Sequence, residues 1–319
     1  MDVLLYRFPL GKKQKLFGEF STVDLSENKV NGFIISSFDK LNSYVFKEES
    51  DFKAIDFSFH SSKEIPFVIS KSDYLEQANL FIERIKNEKL QKAILSRIKK
   101  VEVDSTKLID YFDRLCDKYP NTLVYLASSP LFGTWLGATP EVLLKVENEV
   151  AETMSLAGTK KSESIDWTSK EIEEQSIVTD YVKEIIQDLN PKEIHINGPY
   201  TYQAGPVFHL RTDFKFDLLN DNIFNLVKKL HPTPAIGGLP LVNSLKLIVE
   251  TEKHDRNLYT GFIGLINENQ SNLFVNLRSC QIIGNNAYLY LGGGFTKDSI
   301  LIDEWGETEN KALTLTEVF

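Results

Sequence analysis

The segment TLVYLASSPLFGTWLGATPEVLLKVENEVAETMSL, residues 122–156, carries the clearest fold signal in the chain. It contains four short runs rich in branched and aromatic residues, at 122–127, 132–136, 142–146 and 150–156. Turn-forming residues separate the runs. Short strands joined by tight turns are typical of antiparallel sheet, because parallel strands need long crossover connections. The segment therefore predicts antiparallel strands.

Helices and further strands flank this segment. Apolar residues recur at helical spacing over 73–89, and a longer amphipathic helix is predicted from Thr168 or Ser169, one of which caps it, to Pro191, which ends it. A last helix is predicted over 300–315. Further strand patterns cover 91–97, 207–214, 258–266, 273–282 and 287–291. Strands in meander order with helices between them predict an α+β fold rather than a doubly wound α/β fold.

Composition and charge argue against several classes of partner. The 319 residues, 42% of them hydrophobic, can bury a large core, and the lack of repeats favours one compact unit. A net charge of −9, spread along the chain, argues against nucleic acid, and the apolar runs are too short to span a membrane. The N-terminus lacks the features of a secretory signal, and Cys116 and Cys280 have no metal or redox spacing. We therefore expect a cytoplasmic protein.

Two glutamate pairs lie on separate predicted helices. Glu171 and Glu174 are three residues apart, as are Glu304 and Glu307, so each pair projects from one helix face. Carboxylates from two facing helices suit a hard cation such as Mg²⁺, with waters that an anionic substrate can replace. Taken alone, the pattern is explained more simply by acids in a first helical turn and by surface residues paired with Lys311.

Two loop-like stretches are open to two interpretations each. The glycines at 292–294 offer bare amides to an anion or form a tight turn with positive φ, and they lack the spacing of a nucleotide loop. Three prolines and two glycines at 231–240 predict a rigid loop without regular helix or strand. Such a loop lines a pocket or forms a structural corner.

Several single residues are also candidates. Lys92 lies in an apolar strand, where a buried ammonium needs a partner unless an edge position lets it reach solvent. His209 fits a core histidine as well as a functional one, and Arg278 fits a structural ion pair as well as an anchor for a ligand. The remaining single candidates are Glu141, which follows Thr139-Pro140, and Tyr259.

In this order, the stretches resemble the chorismate-binding enzymes, which include anthranilate, aminodeoxychorismate, isochorismate and salicylate synthases. The resemblance covers roughly residues 73–319. The motifs that carry it are KAILSR (92–97), GATPE (137–141), LAGT (156–159), KEIEE (170–174), FHL (208–210), HPTPAIGGLP (231–240), YTG (259–261), LR (277–278), GGG (292–294) and EWGET (304–308) with Lys311.

The resemblance implies one α+β domain over 1–319, with antiparallel sheets packed face to face, helices outside and the pocket between. Residues 71–319 would be the catalytic core, and 1–70 a shortened N-terminal scaffold region. Because the N-terminal region is shorter than is common in the family, part of the outer scaffold should be missing. Gln175 also departs from the histidine that is usual after Glu174.

A few residues favour one activity within the family. Members that use water as nucleophile have a lysine at the position of Lys92, whereas anthranilate synthases usually have glutamine there. Ala157 stands where aminodeoxychorismate synthases carry a nucleophilic lysine, and the 231–235 loop is similar to the isochorismate synthase version. The resemblance therefore implies isochorismate synthase activity. The alternatives are a salicylate synthase, an anthranilate-type lyase component and an inactive relative that only binds.

The resemblance also assigns roles. Lys92 is the base that activates water for attack at C2 of chorismate, and Glu141 is the acid that protonates the departing C4 hydroxyl. Lys92 must then be neutral part of the time and Glu141 protonated, which burial in a dry pocket favours.

Metal and substrate ligands follow in the same way. Mg²⁺ is expected on Glu174 and Glu307, with Glu171 and Glu304 acting through waters. The expected substrate-binding residues are Thr159, His209, Ala235, Tyr259, Arg278, Gly292, Gly294 and Lys311. We expect a monomer without a glutaminase subunit. The sequence leaves open whether the product enters menaquinone or siderophore synthesis.

Overall fold

The structure is a computed structural model that describes residues 1–25, 30–48, 59–204, 207–218, 223–267 and 269–319. Its strands are β1 (Asp2–Arg7), β2 (Gln14–Thr22), β3 (Gly32–Ser36), β4 (Ser43–Glu48), β5 (Ala93–Glu102), β6 (Leu123–Ser129), β7 (Gly133–Thr139), β8 (Val142–Glu147), β9 (Val150–Lys160), β10 (Ile194–Ala204), β11 (Val207–Asp217), β12 (Phe262–Ile266), β13 (Ser271–Val275), β14 (Ser279–Ile283) and β15 (Asn286–Phe295). Its helices are α1 (Lys71–Asn87), α2 (Leu108–Lys118), α3 (Ser169–Asp188), α4 (Ile223–Leu230), α5 (Pro234–Gly237), α6 (Leu241–Thr251) and α7 (Leu301–Thr316).

The 122–156 segment forms four antiparallel strands, as predicted, but they do not form one meander. β6 pairs with β7 and β8 pairs with β9, whereas β7 continues to β14 and β8 to β13. The chain therefore crosses from one part of the sheet to another between Thr139 and Val142. This crossover is where Pro140 and Glu141 lie.

The described strands form one antiparallel sheet that folds back on itself. Its order is β10-β11-β9-β8-β13-β12-β3-β4-β2-β1-β6-β7-β14-β15-β5. Neighbouring strands are about 4.8 Å apart, so β1 and β13, five positions apart, would be well separated in a flat sheet. Yet the rings of Phe8, next to β1, and Phe274, in β13, are 6.1 Å apart. The predicted face-to-face packing is thus confirmed, and both layers belong to one continuous sheet.

The first strands of the chain lie in the middle of this sheet. β1 to β4 stand between β12 and β6, and their buried side chains share a core with those of the flanking strands. β1 to β4 therefore belong to the central scaffold; the sequence predicts a scaffold role for this region but not its position in the middle of the sheet.

Helices cover the sheet and agree well with the predicted ones. α3 begins with a capping box between Thr168 and Glu171, and it buries Val178, Val182 and Ile186. α7 packs on β15, next to the end of the glycine-rich stretch. Within the described residues, no helix is both long enough and apolar enough to cross a membrane.

One prediction for the 231–240 loop was wrong. The stretch contains a single helical turn, α5, although three prolines and two glycines argued against any regular structure. The helix is compatible with this sequence because Pro234 lies in its first turn, where its missing N–H is not needed. The rest of the loop is irregular, as expected, and it is largely buried.

Candidate active site

A pocket of about 730 Å³, counting its open mouth, lies where β5, β9, β15, α5 and α7 meet. The pocket brings together all but two of the residues predicted from the sequence: Lys92, Glu141, Thr159, Glu174, His209, Ala235, Tyr259, Arg278, Gly292, Gly294, Glu307 and Lys311. Glu171 and Glu304 line an adjoining depression, which shares Thr159 and Glu307 with the pocket.

Lys92 is buried at the beginning of β5, with 1% of its surface exposed. Its Nζ lies 2.7 Å from Oε1 of Glu174 on α3. A Cβ on Gly294 would lie 2.8 Å from both the Lys92 Cε and this carboxylate oxygen, so glycine leaves the space that the pair occupies. Removing one partner of a buried pair costs about 3–5 kcal/mol. Lys92 directly precedes the edge strand β5, and its ammonium finds a partner inside the protein rather than solvent.

Glu141 enters the pocket from the crossover between β7 and β8. The Glu141 backbone carbonyl accepts a hydrogen bond from the N–H of Val275, which fixes the turn. Burial raises the pKa of the carboxyl to about 7, although the charges of Lys92, Lys311 and Arg278 oppose this shift. A carboxyl with this pKa is protonated for a large part of the time at neutral pH, so Glu141 can donate a proton.

His209 and Arg278 form a neutral–charged pair on one wall of the pocket. Burial, together with the charges of Arg278 and Lys311, lowers the pKa of His209 to about 3, so the imidazole is neutral. Its Nδ1 lies 2.8 Å from the carbonyl of Gly158, which assigns the proton to Nδ1. Nε2 then accepts from Arg278, 3.4 Å away, and Arg278 also donates to Thr314 at 2.9 Å.

The glycines at 292–294 belong to β15, so the interpretation as a tight turn was wrong. Gly292 is opposite Ser96 in the register of β15 and β5, and the Ser96 N–H donates to a side chain, Glu252. In an antiparallel pair, opposed residues share the same bonding direction, so the N–H and C=O of Gly292 also point away from β5. The Gly292 carbonyl accepts from Lys311 at 2.8 Å, which agrees with this orientation.

The predicted metal ligands each have a partner within the protein. Glu307 pairs with Lys311 at 2.6 Å, and Glu304 pairs with Lys170 at 2.8 Å. Glu171 accepts hydrogen bonds from the N–H and the hydroxyl of Thr168, and the bond from the N–H belongs to the capping box. Burial and the charge of Glu307 raise the pKa of Glu304, whereas Lys311 holds the pKa of Glu307 below its usual value despite burial.

The predicted metal ligands are carboxylates, which suit a hard divalent cation. In this structure, however, their side chains bind other partners. Glu174, Glu304 and Glu307 all act on the Lys170 ammonium and raise its pKa, so three carboxylates already surround one positive charge. Oxygen donors of this kind are what Mg²⁺ takes. In the side-chain positions of this structure, no three His, Cys, Asp or Glu side chains among the described residues lie close enough together to hold a metal ion.

Sequence reasoning missed several residues of the site. Ile94, Leu156, Ile236, Leu277 and Tyr290 line the apolar part of the pocket. All but Tyr290 lie within the motifs quoted above, but apolar side chains gave no separate sign of a place in the pocket. Lys170 and Thr314, the partners of Glu304 and Arg278, lie on helix faces whose orientation depends on the fold.

Comparisons with known proteins agree with this arrangement. Residues 26–319 match the family model described as chorismate binding enzyme. The isochorismate synthase EntC of Escherichia coli is 29% identical over 247 residues, which cover 72% of this chain and 62% of that protein. The isochorismate synthase MenF of Bacillus subtilis is 30% identical over 257 residues, or 76% of this chain and 54% of that protein. The chain thus matches less than two thirds of the length of these relatives.

A solved structure shows the same fold. DhbC from Bacillus anthracis, assigned as a 2,3-dihydroxybenzoate-specific isochorismate synthase, superposes with a TM-score of 0.83 at 22% identity, covering 99% of this chain and 95% of that one. The family match over residues 26–319 establishes that this chain belongs to the chorismate-binding enzymes.

Proposed function

We propose that the protein is an isochorismate synthase, which interconverts chorismate and isochorismate. The observation that carries the proposal is that Lys92 and Glu141, a potential base and a buried acid with a pKa of about 7, line the same pocket. The relatives EntC and MenF bear the name isochorismate synthase, which supports the assignment. We further propose that the whole chain acts as one chorismate-binding domain, since strands from both ends of the sequence build one sheet.

The proposed reaction requires a base that removes a proton from the attacking water and an acid that gives a proton to the leaving hydroxyl. Unprotonated Lys92 accepts a proton from the water that attacks C2. Glu141 donates a proton to the C4 hydroxyl, which leaves as water while the double bonds shift. The forward reaction ends with Lys92 protonated and Glu141 ionised, and proton exchange with solvent after product release restores the starting state.

The charged wall of the pocket suits the two carboxylates of chorismate. Arg278 and Lys311 are donors for the enolpyruvyl carboxylate, with the outward-pointing N–H of Gly292 and Gly294. Tyr259 lines the same side. His209, neutral and fixed by Gly158, lies beside the position expected for the ring carboxylate, with Thr159 next to it. Ala235 on α5 closes the pocket with a small side chain. Together these residues would hold the ring between base and acid.

Mg²⁺ is the cofactor that the family and the donor set support. Glu174 and Glu307 would hold it directly, and Glu171 and Glu304 through waters. The ion would supply positive charge that neutralises the ring carboxylate. For this the glutamates must exchange their present lysine and threonine partners for the cation.

Identification of products tests the proposed function. We expect purified protein incubated with chorismate and Mg²⁺ to yield isochorismate without pyruvate, and the activity to disappear with EDTA and return with added Mg²⁺. Chromatography with mass detection measures both products. Salicylate with pyruvate would instead support the lyase alternative, and an absence of turnover would contradict the proposal.

The pH dependence should reflect Glu141. Its pKa of about 7 means that the proton is present below pH 7 and lost above it, so in the pH range where Lys92 is already unprotonated kcat/KM should fall by about tenfold per pH unit on the alkaline side. Initial rates from pH 6 to 9 at saturating Mg²⁺ measure this alkaline limb of the pH profile. A profile without an alkaline limb near pH 7 would remove Glu141 from the role of acid.

A further inference from the structure

The outer edge of β5 is closed by side chains instead of a strand. In the described part of the chain, β5 is the last strand of the sheet, with β15 on its inner side. On the outer side, Arg256 Nη2 donates to the carbonyl of Ile94 at 3.0 Å, and Oε1 of Glu252 accepts from the N–H of Ser96 at 2.7 Å. The Glu252–Arg256 pair thereby provides hydrogen-bond partners for two outward-facing backbone groups of this edge.

Glu252 and Arg256 are both buried, and their charges are compensated. Arg256 donates from Nε and Nη2 to the two carboxylate oxygens at 2.9 and 2.7 Å, and the hydroxyl of Ser96 adds another bond to Glu252 at 2.8 Å. Although burial opposes ionisation, Arg256 holds the pKa of Glu252 below its usual value. A bidentate pair with this many bonds has a single low-energy geometry.

The same pair binds a second wall of the pocket. Arg256 Nη1 donates to the carbonyl of Ile236 on α5 at 2.9 Å, so one guanidinium joins α5 to β5. Ile94 and Ile236 both line the pocket, and the ion pair lies behind them. The pair therefore fixes the position of β5, from the start of which Lys92 projects, relative to α5.

The backbone of Lys92 is held by neighbouring residues of the same region. Its backbone N–H and C=O pair with Leu239 at 3.2 and 2.8 Å, and the Ser244 hydroxyl donates to the Lys92 carbonyl at 3.0 Å. Gly238 makes this approach possible: at φ +88° it has the conformation that favours glycine, and a Cβ there would lie 2.3 Å from the Lys92 carbonyl oxygen.

We propose that Ser244, Glu252 and Arg256, the edge clamp, are positioning residues for Lys92, a role that rests on the proposed isochorismate synthase activity. The clamp fixes the backbone from which the base projects and the distance between β5 and α5. It contributes to proton transfer only through Lys92. Its loss should lower kcat and leave the affinity for chorismate almost unchanged.

Arg256→Lys tests the clamp, because lysine keeps the charge but cannot bind Glu252, Ile94 and Ile236 at once. We expect kcat to fall by about 10²-fold with KM within about threefold, since small displacements of a catalytic group have effects of this size. Ser244→Ala, which removes one neutral bond, should show a smaller loss of kcat and no change in folding. The matched control is Arg84→Lys. Arg84 pairs with Glu250 on the exposed side of α6, and loss of this pair should leave kcat unchanged.

Two further measurements separate positioning from general stabilisation. In a Lys92→Gln background, Arg256→Lys should cause no additional loss of kcat; an equal fractional loss in both backgrounds would overturn the inference. Hydrogen–deuterium exchange measures how firmly the clamp holds the backbone and does not depend on enzymatic activity. Peptides covering residues 92–96 should exchange about tenfold faster in Arg256→Lys than in wild type. Unchanged exchange there would overturn the inference even if the protein did not convert chorismate, whereas the proposed function fails if the wild type is inactive or forms salicylate and pyruvate.

Discussion

Lys92→Gln should lower kcat/KM for chorismate by about 10³-fold, which is within the range of general base catalysis. Glutamine has a similar length and can still donate a hydrogen bond to Glu174, but it cannot take a proton from water. Because Lys92 is buried at the pocket wall, no solvent-exposed group can replace it without a change in the fold. Initial rates of isochorismate formation, followed by chromatography, measure the loss.

The control for this variant is Lys100→Gln, on the same strand but exposed, which should retain full activity. Lys92→Arg keeps the ion pair with Glu174 and still lacks a usable base, so it should be as inactive as Lys92→Gln. If Lys92→Arg were active, the lysine would act through its charge and not as the base. Circular dichroism of both variants shows whether the loss of the pair affects folding.

Glu141→Gln should lower kcat/KM by about 10²- to 10³-fold, because the amide has the size of the acid but no proton to give to the leaving hydroxyl. Folding should be unaffected, since the neutral amide is buried more easily than a carboxylate. The remaining activity should lose the alkaline limb near pH 7 that the wild-type carboxyl produces. Rates over the same pH range measure both effects.

The exposed Glu147→Gln on β8 is the matched control and should behave as wild type. If Glu141→Gln kept the alkaline limb, another group would be titrating. If it kept most of the activity, the hydroxyl would leave with a proton from elsewhere, and Glu141 would be a structural residue of the crossover.

Local patterns predicted the elements of this fold well. The 122–156 runs became β6 to β9, and the Thr168 cap begins α3, because alternation, capping and turn residues act over a few positions. The candidate residues converged on one pocket because many short motifs agreed in order with a family. Any one of them alone, such as the glutamate pairs, was explained as well by helix dipoles and surface pairing.

Features that depend on distant contacts were not predictable. Nothing near residue 139 shows that the chain leaves one part of the sheet for another, although that crossover places Glu141. The partner of Lys92 is a glutamate on α3, and the edge clamp joins Lys92 and β5 to residues within and just beyond α6. Glu252 and Arg256 have the sequence spacing of an ordinary surface pair, so only the fold reveals that they are buried.

The central position of the first strands also affects synthesis. Ile35 in β3 pairs with Ile263 in β12, so most of the chain must be translated before β3 gains its second neighbour. At usual elongation rates this interval is about 10 to 50 s. During that time, a nascent chain carries an open, apolar strand edge, which is a template for association with other chains. Ribosomes that stop before residue 262 would therefore release aggregation-prone fragments, which gives chaperones a specific segment to shield.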